Sequence, residues 1–191
     1  MRLSPVHHKQ APDGPWRLDN SPLALVQRLV EPIRHSKRNV ACDNWFTSIP
    51  LVRTLYTDYT LNFLGTMRRN KRELPAEISN PQKRPIGTSM FAYDKNITLV
   101  SYIPKQKKNV ILVSSLHHDD KIHEPTGKPE MIIDYNESKG GVDTLDKMCA
   151  AYDCARGTQR WPMVIFDALL NIAGVNSMVL FRLQNTDHRI P

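Results

Sequence analysis

Cysteine is scarce in this sequence, with three residues in 191. Cys42, Cys149 and Cys154 are odd in number and lie within apolar patterns. This combination excludes a disulfide-rich secreted domain and favours a reducing compartment. We therefore expect buried thiols.

The sequence also lacks an apolar leader and an uninterrupted membrane-length run. Its start, residues 1–16, is rich in proline and histidine where a signal peptide would be continuously apolar. Near the other end, Asp167, Asn171 and Asn176 interrupt the best candidate for a membrane span. We expect a soluble intracellular protein with no membrane partner.

Acidic residues are in deficit, with 19 Asp and Glu against 26 Lys and Arg, which leaves a formal charge of +7. A basic surplus favours a polyanionic partner such as a nucleic acid. The length and a hydrophobic content of 40% allow one ordinary core with a small appended module.

Periodicity divides the chain into segments. Residues 1–20 have no period of either kind and predict a flexible leader. In residues 21–70, a helix capped by Ser21 is followed by a short strand ending at Asp43, a second helix and a second strand. Strand, helix and strand in this order predict a parallel pair in an α/β sheet.

Residues 71–130 differ, because prolines separate short β-like runs such as GTSMFAYD, NITLVSYI and NVILVSSL. We interpret this segment as an all-β insertion between two parts of a core. Helical periodicity returns in residues 131–191, which we assign to the second part of the core.

Three aspartates are candidates for chemistry. Asp43 lies where a strand enters a loop, which suits a metal ligand facing a crevice, although a turn or helix-capping role explains it equally well. Asp143 and Asp146 are three residues apart in a helix that we expect to begin after Gly140 and Gly141. Carboxylates in a first helical turn also interact favourably with the helix dipole, so that explanation stays open.

Other residues are candidates for binding. His117, His118 and His123 match no standard metal-ligand spacing, and we expect them in a solvated loop. Trp45 and Trp161 could stack on bases, although Trp161 also suits a hydrophobic anchor at the start of the last helix. Two basic stretches could contact phosphates or simply be solvated: Arg68, Arg69, Lys71 and Arg72, and then Lys105, Lys107 and Lys108.

Several strings together resemble the piggyBac transposase family in order, wording and spacing. They are CDNWFTSIPL, GTMRRNKRELP, GTSMF, LVSYIPK, TGKPEMIIDYN, SKGGVDTLDKM and RWPMVIFDALLNIAGVNS, and they span about Ser21 to Leu180. The resemblance implies an α/β fold: a partial ribonuclease-H-like DDE/D catalytic core interrupted by an all-β insertion.

The resemblance also implies the site. The aspartate of CDNWF, Asp43, corresponds to the second catalytic carboxylate, that of GGVD, Asp143, to the third, and Asp146 is functionally important. Family members use a divalent metal, typically Mg²⁺, to nick DNA at transposon ends and insert at TTAA targets. Asp43 and Asp143 are thus the expected metal ligands, and we expect a nuclear location.

The family's first catalytic aspartate lies upstream of CDNWF, and here only Asp13 and Asp19 precede Asp43. Both lie outside any apolar strand. We therefore expect this chain to be inactive alone, with an unpaired sheet edge, and the family's homodimer is a further expectation. The alternative is a host-adopted module that binds DNA or a protein without catalysis, and a longer gene product supplying the first aspartate would restore the enzymatic role.

Overall fold

The computed structural model describes residues 18–80 and 84–185, so most of the predicted leader lies outside the described residues. The chain divides into two compact units, Met1–Tyr135 and Asn136–Pro191. The first unit contains a five-stranded sheet and the second is helical.

The first helix, α1 (Pro22–Val30), begins as its sequence predicts. The Ser21 hydroxyl accepts a hydrogen bond from the Ala24 amide at 3.3 Å, and proline occupies the first turn, where its missing N–H costs nothing. Val26 and Val30 are buried, and a single 3₁₀ turn over Glu31–Ile33 ends the helix.

The parallel pair is confirmed. Strand β1 (Asn39–Cys42) pairs in parallel with β2 (Asn62–Met67), and α2 (Ile49–Thr57) connects them. The α2 helix is capped by the Ser48 hydroxyl, which accepts from the Leu51 amide at 3.3 Å. Because β1 and β2 are parallel, their carboxyl ends lie at the same edge of the sheet.

The β-rich segment also forms the predicted strands. These are β3 (Ser89–Asp94), β4 (Ile97–Lys105) and β5 (Lys108–Ser114), joined as antiparallel neighbours. Strand β5 pairs with β2, so the sheet order is β1-β2-β5-β4-β3. A short helix, α3 (Ala76–Ser79), precedes β3. The predicted division into a core and an insertion stays a prediction, although strands from both segments share this sheet.

Alternation along the strands builds two cores, one on each face of the sheet. Phe63 and Met67 of β2 join the core that packs against α1 and α2. Leu64, between them, joins the opposite core, which contains Tyr135. Both faces of the central strands are therefore covered. The second core consists of Leu64, Val100, Tyr102, Leu112, Met131, Ile132 and Tyr135.

A long helix, α4 (Glu130–Ala151), follows a small hairpin of β6 (Ile122–His123) and β7 (Lys128–Pro129). The expected start of this helix after Gly140 and Gly141 was wrong, because both glycines lie in its interior. Packing of Met131, Ile132 and Tyr135 on the sheet explains the earlier start, since tertiary burial outweighs the low helix propensity of glycine.

The second unit contains α5 (Trp161–Gln184). The Asn171 side chain pins the preceding loop to this helix: its oxygen accepts from the Cys154 amide and its amide donates to Asp153, at 3.0 and 2.7 Å. Most apolar side chains of α5 are exposed, and Val175 is the buried residue within the described part of this unit.

The expectation that no stretch could span a membrane needs correction. By length and composition α5 is apolar enough, with a mean hydropathy of 1.8. The polar residues Asp167, Asn171 and Asn176 are too few to bring the mean hydropathy of α5 below the level of a membrane-spanning helix. Such a helix is weak evidence for a membrane span, because core helices of soluble proteins have the same composition.

Candidate functional site

Asp43 lies at the carboxyl end of β1, as predicted, and forms a tight turn. Its Oδ1 accepts a hydrogen bond from the Trp45 amide at 2.8 Å, and its carbonyl accepts from the Thr47 amide and hydroxyl at 3.2 and 2.7 Å. The turn-forming role is therefore correct, whereas the helix-capping role belongs to Ser48. Within the described residues Oδ2 accepts no hydrogen bond, so one oxygen of this exposed carboxylate is available to a ligand.

Sequence inspection missed two residues that hold this turn. Thr47 is fully buried, and its hydroxyl lies above Gly65 of β2. A Cβ at Gly65 would lie 2.7 Å from the Thr47 Oγ1 and 2.8 Å from the Cys42 carbonyl oxygen, which is too close for any other residue. A glycine inside a strand often marks such a close approach, and this was the available signal.

Arg68, the first residue after β2, contacts the Asp43 turn. Its Nε donates to the Asn44 side-chain oxygen at 3.0 Å, and its guanidinium lies 5.0 Å from the centre of the Trp45 ring. The geometry is that of a cation–π contact. Trp45 remains 59% exposed, so its ring is available to a further partner. Two predicted binding residues and one predicted carboxylate thus meet at one edge.

The two basic stretches also lie at this edge. Met67 of β2 pairs with Ile111 of β5, and Lys108 precedes Ile111 by three residues, level with the segment after β2. The turn between β4 and β5 therefore projects on the same side as Asp43. We call the exposed or half-exposed cations there the basic rim: Arg68, Arg69, Lys71, Arg72, Lys105, Lys107 and Lys108.

No residue of the basic rim forms an ion pair with another described residue. Uncompensated cations grouped on one side of a sheet attract polyanions and steer them toward that side. Contact with phosphates and a solvated face both fit such a rim, so the phosphate assignment stays a prediction.

Asp143 and Asp146 lie in the second unit, in the interior of α4 and not in its first turn. The helix-dipole explanation does not apply there, because the dipole acts mainly within the terminal turns. Both carboxylates are exposed and stand about one turn apart on neighbouring surface positions. Trp161, the first residue of α5, is 72% exposed, so the described residues do not use it as a buried anchor.

Within residues 18–80 and 84–185, no three His, Cys, Asp or Glu side chains are grouped closely enough to hold one metal ion. Asp43 belongs to the first unit and Asp143 to the second. Carboxylate oxygens are nevertheless the ligands that Mg²⁺ prefers. The metal-binding role of Asp43 and Asp143 stays a prediction.

The burial of the cysteines and histidines agrees with the sequence-based expectation for some residues and not for others. Burial, aided by the neighbouring Asp43, raises the pKa of the Cys42 thiol to about 11, whereas Cys154 is exposed. His118 is exposed, as a solvated loop requires. His117 is not, because its side chain is only 9% exposed and pairs with Asp134.

Comparisons with known proteins agree on one family. The family described as transposase IS4 matches residues 2–178, which include most of α5. A solved structure, a piggyBac transposase synaptic complex with hairpin DNA, superposes with a TM-score of 0.83 at 45% sequence identity. The match covers 92% of this chain and 38% of that one, so the chain spans well under half of the solved protein. The α/β fold expected from the resemblance is confirmed.

Proposed function

Because this chain belongs to the piggyBac transposases, within the family described as transposase IS4, we propose that it forms the DNA-facing part of a transposase catalytic domain. The carrying observation is the edge where Asp43, Trp45 and Arg68 meet beside the basic rim. The solved relative was captured with hairpin DNA, which supports DNA as the ligand of this edge.

We assign the basic rim to the DNA backbone and the Trp45 ring to an exposed base. Lysine and arginine contacts to phosphate supply most of the affinity and little of the sequence preference. An exposed aromatic ring offers a stacking surface to an unpaired base, such as one in a hairpin tip. Arg68 contacts both the ring and Asn44, so it links the backbone contacts to the Asp43 turn.

Asp43 and Asp143 are the proposed metal ligands, with Asp146 beside Asp143. Bound Mg²⁺ would stabilise charge on the attacking and leaving oxygens of the phosphodiester. We propose that cleavage requires a further carboxylate in addition to these. The 191-residue chain would then bind DNA without cleaving it.

The chain covers 38% of the solved transposase, and the remaining functions are proposals of the same kind. They comprise action at transposon ends, insertion at TTAA targets, a homodimer and a nuclear location. Each is proposed from the family resemblance alone.

DNA affinity tests the proposed edge, measured by fluorescence anisotropy with a hairpin oligonucleotide over a range of salt concentrations. Lys107 and Lys95 are a matched pair, since both occupy hairpin turns with positive φ at opposite ends of β4. We expect Lys107→Ala and Arg68→Ala each to weaken binding severalfold and to reduce the salt slope by about 1. Equal losses with Lys95→Ala would contradict the assignment.

Strand nicking tests the proposed chemistry. DNA carrying transposon ends is incubated with the chain or its Asp143→Ala variant, with and without Mg²⁺. We expect no nicking in either case. Mg²⁺-dependent nicking that the variant lacks would mean that the chain supplies all its ligands.

A second candidate is a DNA-binding module without catalysis, which the basic rim favours because contact with phosphates needs no metal. The two candidates differ at Asp43. In a metal site, Asp43→Asn should abolish any increase in DNA affinity that Mg²⁺ causes. In a binding module, Mg²⁺ and this variant should both leave the affinity unchanged.

A further inference from the structure

His117 occupies a junction between the sheet and α4, all within the first unit. Its Nδ1 lies 2.9 Å from the Ser114 hydroxyl at the end of β5. Its Nε2 lies 2.8 Å from the Asp134 carboxylate on α4. Its carbonyl accepts from the Thr98 hydroxyl of β4 at 2.7 Å. One side chain and its backbone therefore connect two strands to the helix.

Ser114, His117 and Asp134 form a chain of hydrogen bonds, which we call the relay. The other hydrogen bonds of Ser114 show which atom donates at each step. The Ser114 oxygen accepts from the Leu116 and His117 amides at 3.0 and 3.1 Å, which occupies both of its lone pairs. Its hydroxyl hydrogen is then left to donate to Nδ1 of His117. The proton of a neutral imidazole consequently sits on Nε2 and donates to Asp134. Every polar atom of the relay is satisfied in this arrangement.

The order Ser114, His117 and Asp134 is not that of a hydrolase. Ser114 is fully buried, so no substrate can reach its oxygen. The ring is also reversed, because a catalytic triad places Nε2 on the serine and Nδ1 on the carboxylate. The relay instead runs between the sheet and a helix, beside the core formed by Leu112 and Met131.

We propose that the hydrogen bond between His117 and Asp134 holds the first turns of α4 on the sheet, and we call this contact the catch. His117 is thereby a positioning residue. Its importance rests on the proposed function, because the same helix carries Asp143 and Asp146. A helix transmits a restraint at one end along its hydrogen-bonded turns, so loss of the catch should loosen the segment that bears these carboxylates.

Amide hydrogen exchange of the intact chain tests the catch without any DNA reaction. The variants are His117→Ala, Asp134→Ala and the double change, with His118→Ala as the matched exposed control. We expect each single variant to accelerate exchange of the 131–135 amides about tenfold, with a smaller effect at residues 142–148. The double variant should exchange no faster than the more severe single one. Asp134→Asn retains an acceptor oxygen and should restore much of the protection.

A spectroscopic signature separates the catch from general loosening. Imidazole ¹⁵N shifts should show the Nε2–H tautomer in the wild type and in both Asp134 variants, because Ser114 fixes Nδ1 as an acceptor. The Nε2–H proton should exchange with water faster in Asp134→Ala, which lacks an acceptor, than in Asp134→Asn. Unchanged amides in β4 and β5 would confirm that the variants still fold. Additive effects of the two single changes, or an equal effect of His118→Ala, would overturn the catch. Unaltered exchange at residues 142–148 would overturn its positioning role.

These outcomes are independent of the proposed function. Coupled exchange effects in a chain that binds no DNA would refute the transposase site while the catch stands. Normal DNA binding with no coupling between His117 and Asp134 would refute the catch alone.

Discussion

The sheet unit and the helical unit both contain apolar segments, which the strands of the first bury and helix α5 of the second largely exposes. Strands β2, β4 and β5 bury side chains on both faces, in two cores. Helix α5 is also rich in apolar residues, yet Leu169, Leu183 and Trp161 are 60, 73 and 72% exposed. Apolar composition therefore predicts that a segment is structured but does not say whether the chain itself covers it. The stability of this chain should reside in the sheet unit.

The largest expected effect contrasts two leucines. Leu112 of β5 is fully buried, and Leu112→Ala should lower the free energy of unfolding by about 3 to 4 kcal/mol, because it leaves a cavity. Leu169→Ala on α5 should change it by less than about 0.5 kcal/mol. Urea denaturation followed by circular dichroism measures both. Similar losses of unfolding free energy for the two variants would contradict the claim that the stability resides in the sheet unit.

Two glycines give the next contrast. Gly65→Ala places a Cβ against the Cys42 carbonyl and Thr47, and should cost about 3 kcal/mol through overpacking. A Cβ added at Gly174 of α5 would meet no neighbouring atom within 4 Å, so Gly174→Ala should stabilise the helix by up to about 1 kcal/mol. Thermal unfolding of both variants checks this. A neutral Gly65→Ala would show that β1 and β2 are packed less closely at this point.

The two units can also be compared by the reactivity of one thiol in each, Cys42 in the sheet unit and Cys154 in the helical unit. Since the pKa of Cys42 is raised to about 11 from 9.0, its thiolate at pH 8 should be about 100-fold scarcer than that of an ordinary thiol. Because Cys42 is also less accessible, iodoacetamide should modify exposed Cys154 much faster. The raised pKa also stabilises the fold below pH 9, and this contribution is lost as the pH rises through about 11. Mass spectrometry follows the labelling of each thiol. Equal labelling rates for Cys42 and Cys154 would contradict the burial of Cys42.

The smallest effect concerns the turn that presents Asp43. Thr47→Val removes the buried hydroxyl that donates to the Asp43 carbonyl, and should cost about 1 to 2 kcal/mol. Thr57→Val, at an exposed hydroxyl that donates to the Arg53 carbonyl, is the control and should cost little. Amide exchange at Trp45 should accelerate only in the first variant. Acceleration in both would point to a general loss of stability.

Local patterns predicted much of the sheet unit. Alternation and turn residues indicated β1 to β5, and the Ser21 cap indicated α1. The start of α4 was wrong because two interior glycines are a strong local breaker, whereas burial of Met131 and Ile132 depends on the sheet. Local periodicity does not contain such information.

The candidate site was predicted in its residue types but not in its supports. Asp43, Trp45 and Arg68 were identified from the motifs that contain them. The contact of Thr47 with Gly65 and the relay from Ser114 to Asp134 join residues far apart in the chain. Both depend on strand register, which one sequence does not reveal.

Amide hydrogen exchange with and without hairpin DNA tests the central claim most directly, because it reports every part of the sheet in one experiment. We predict protection at residues 43–47, 68–72 and 105–108, which share the carboxyl-end edge of β1 and β2. Protection confined to residues 94–97 at the opposite end of β4, or no protection at any salt concentration, would contradict the assignment of this edge to DNA.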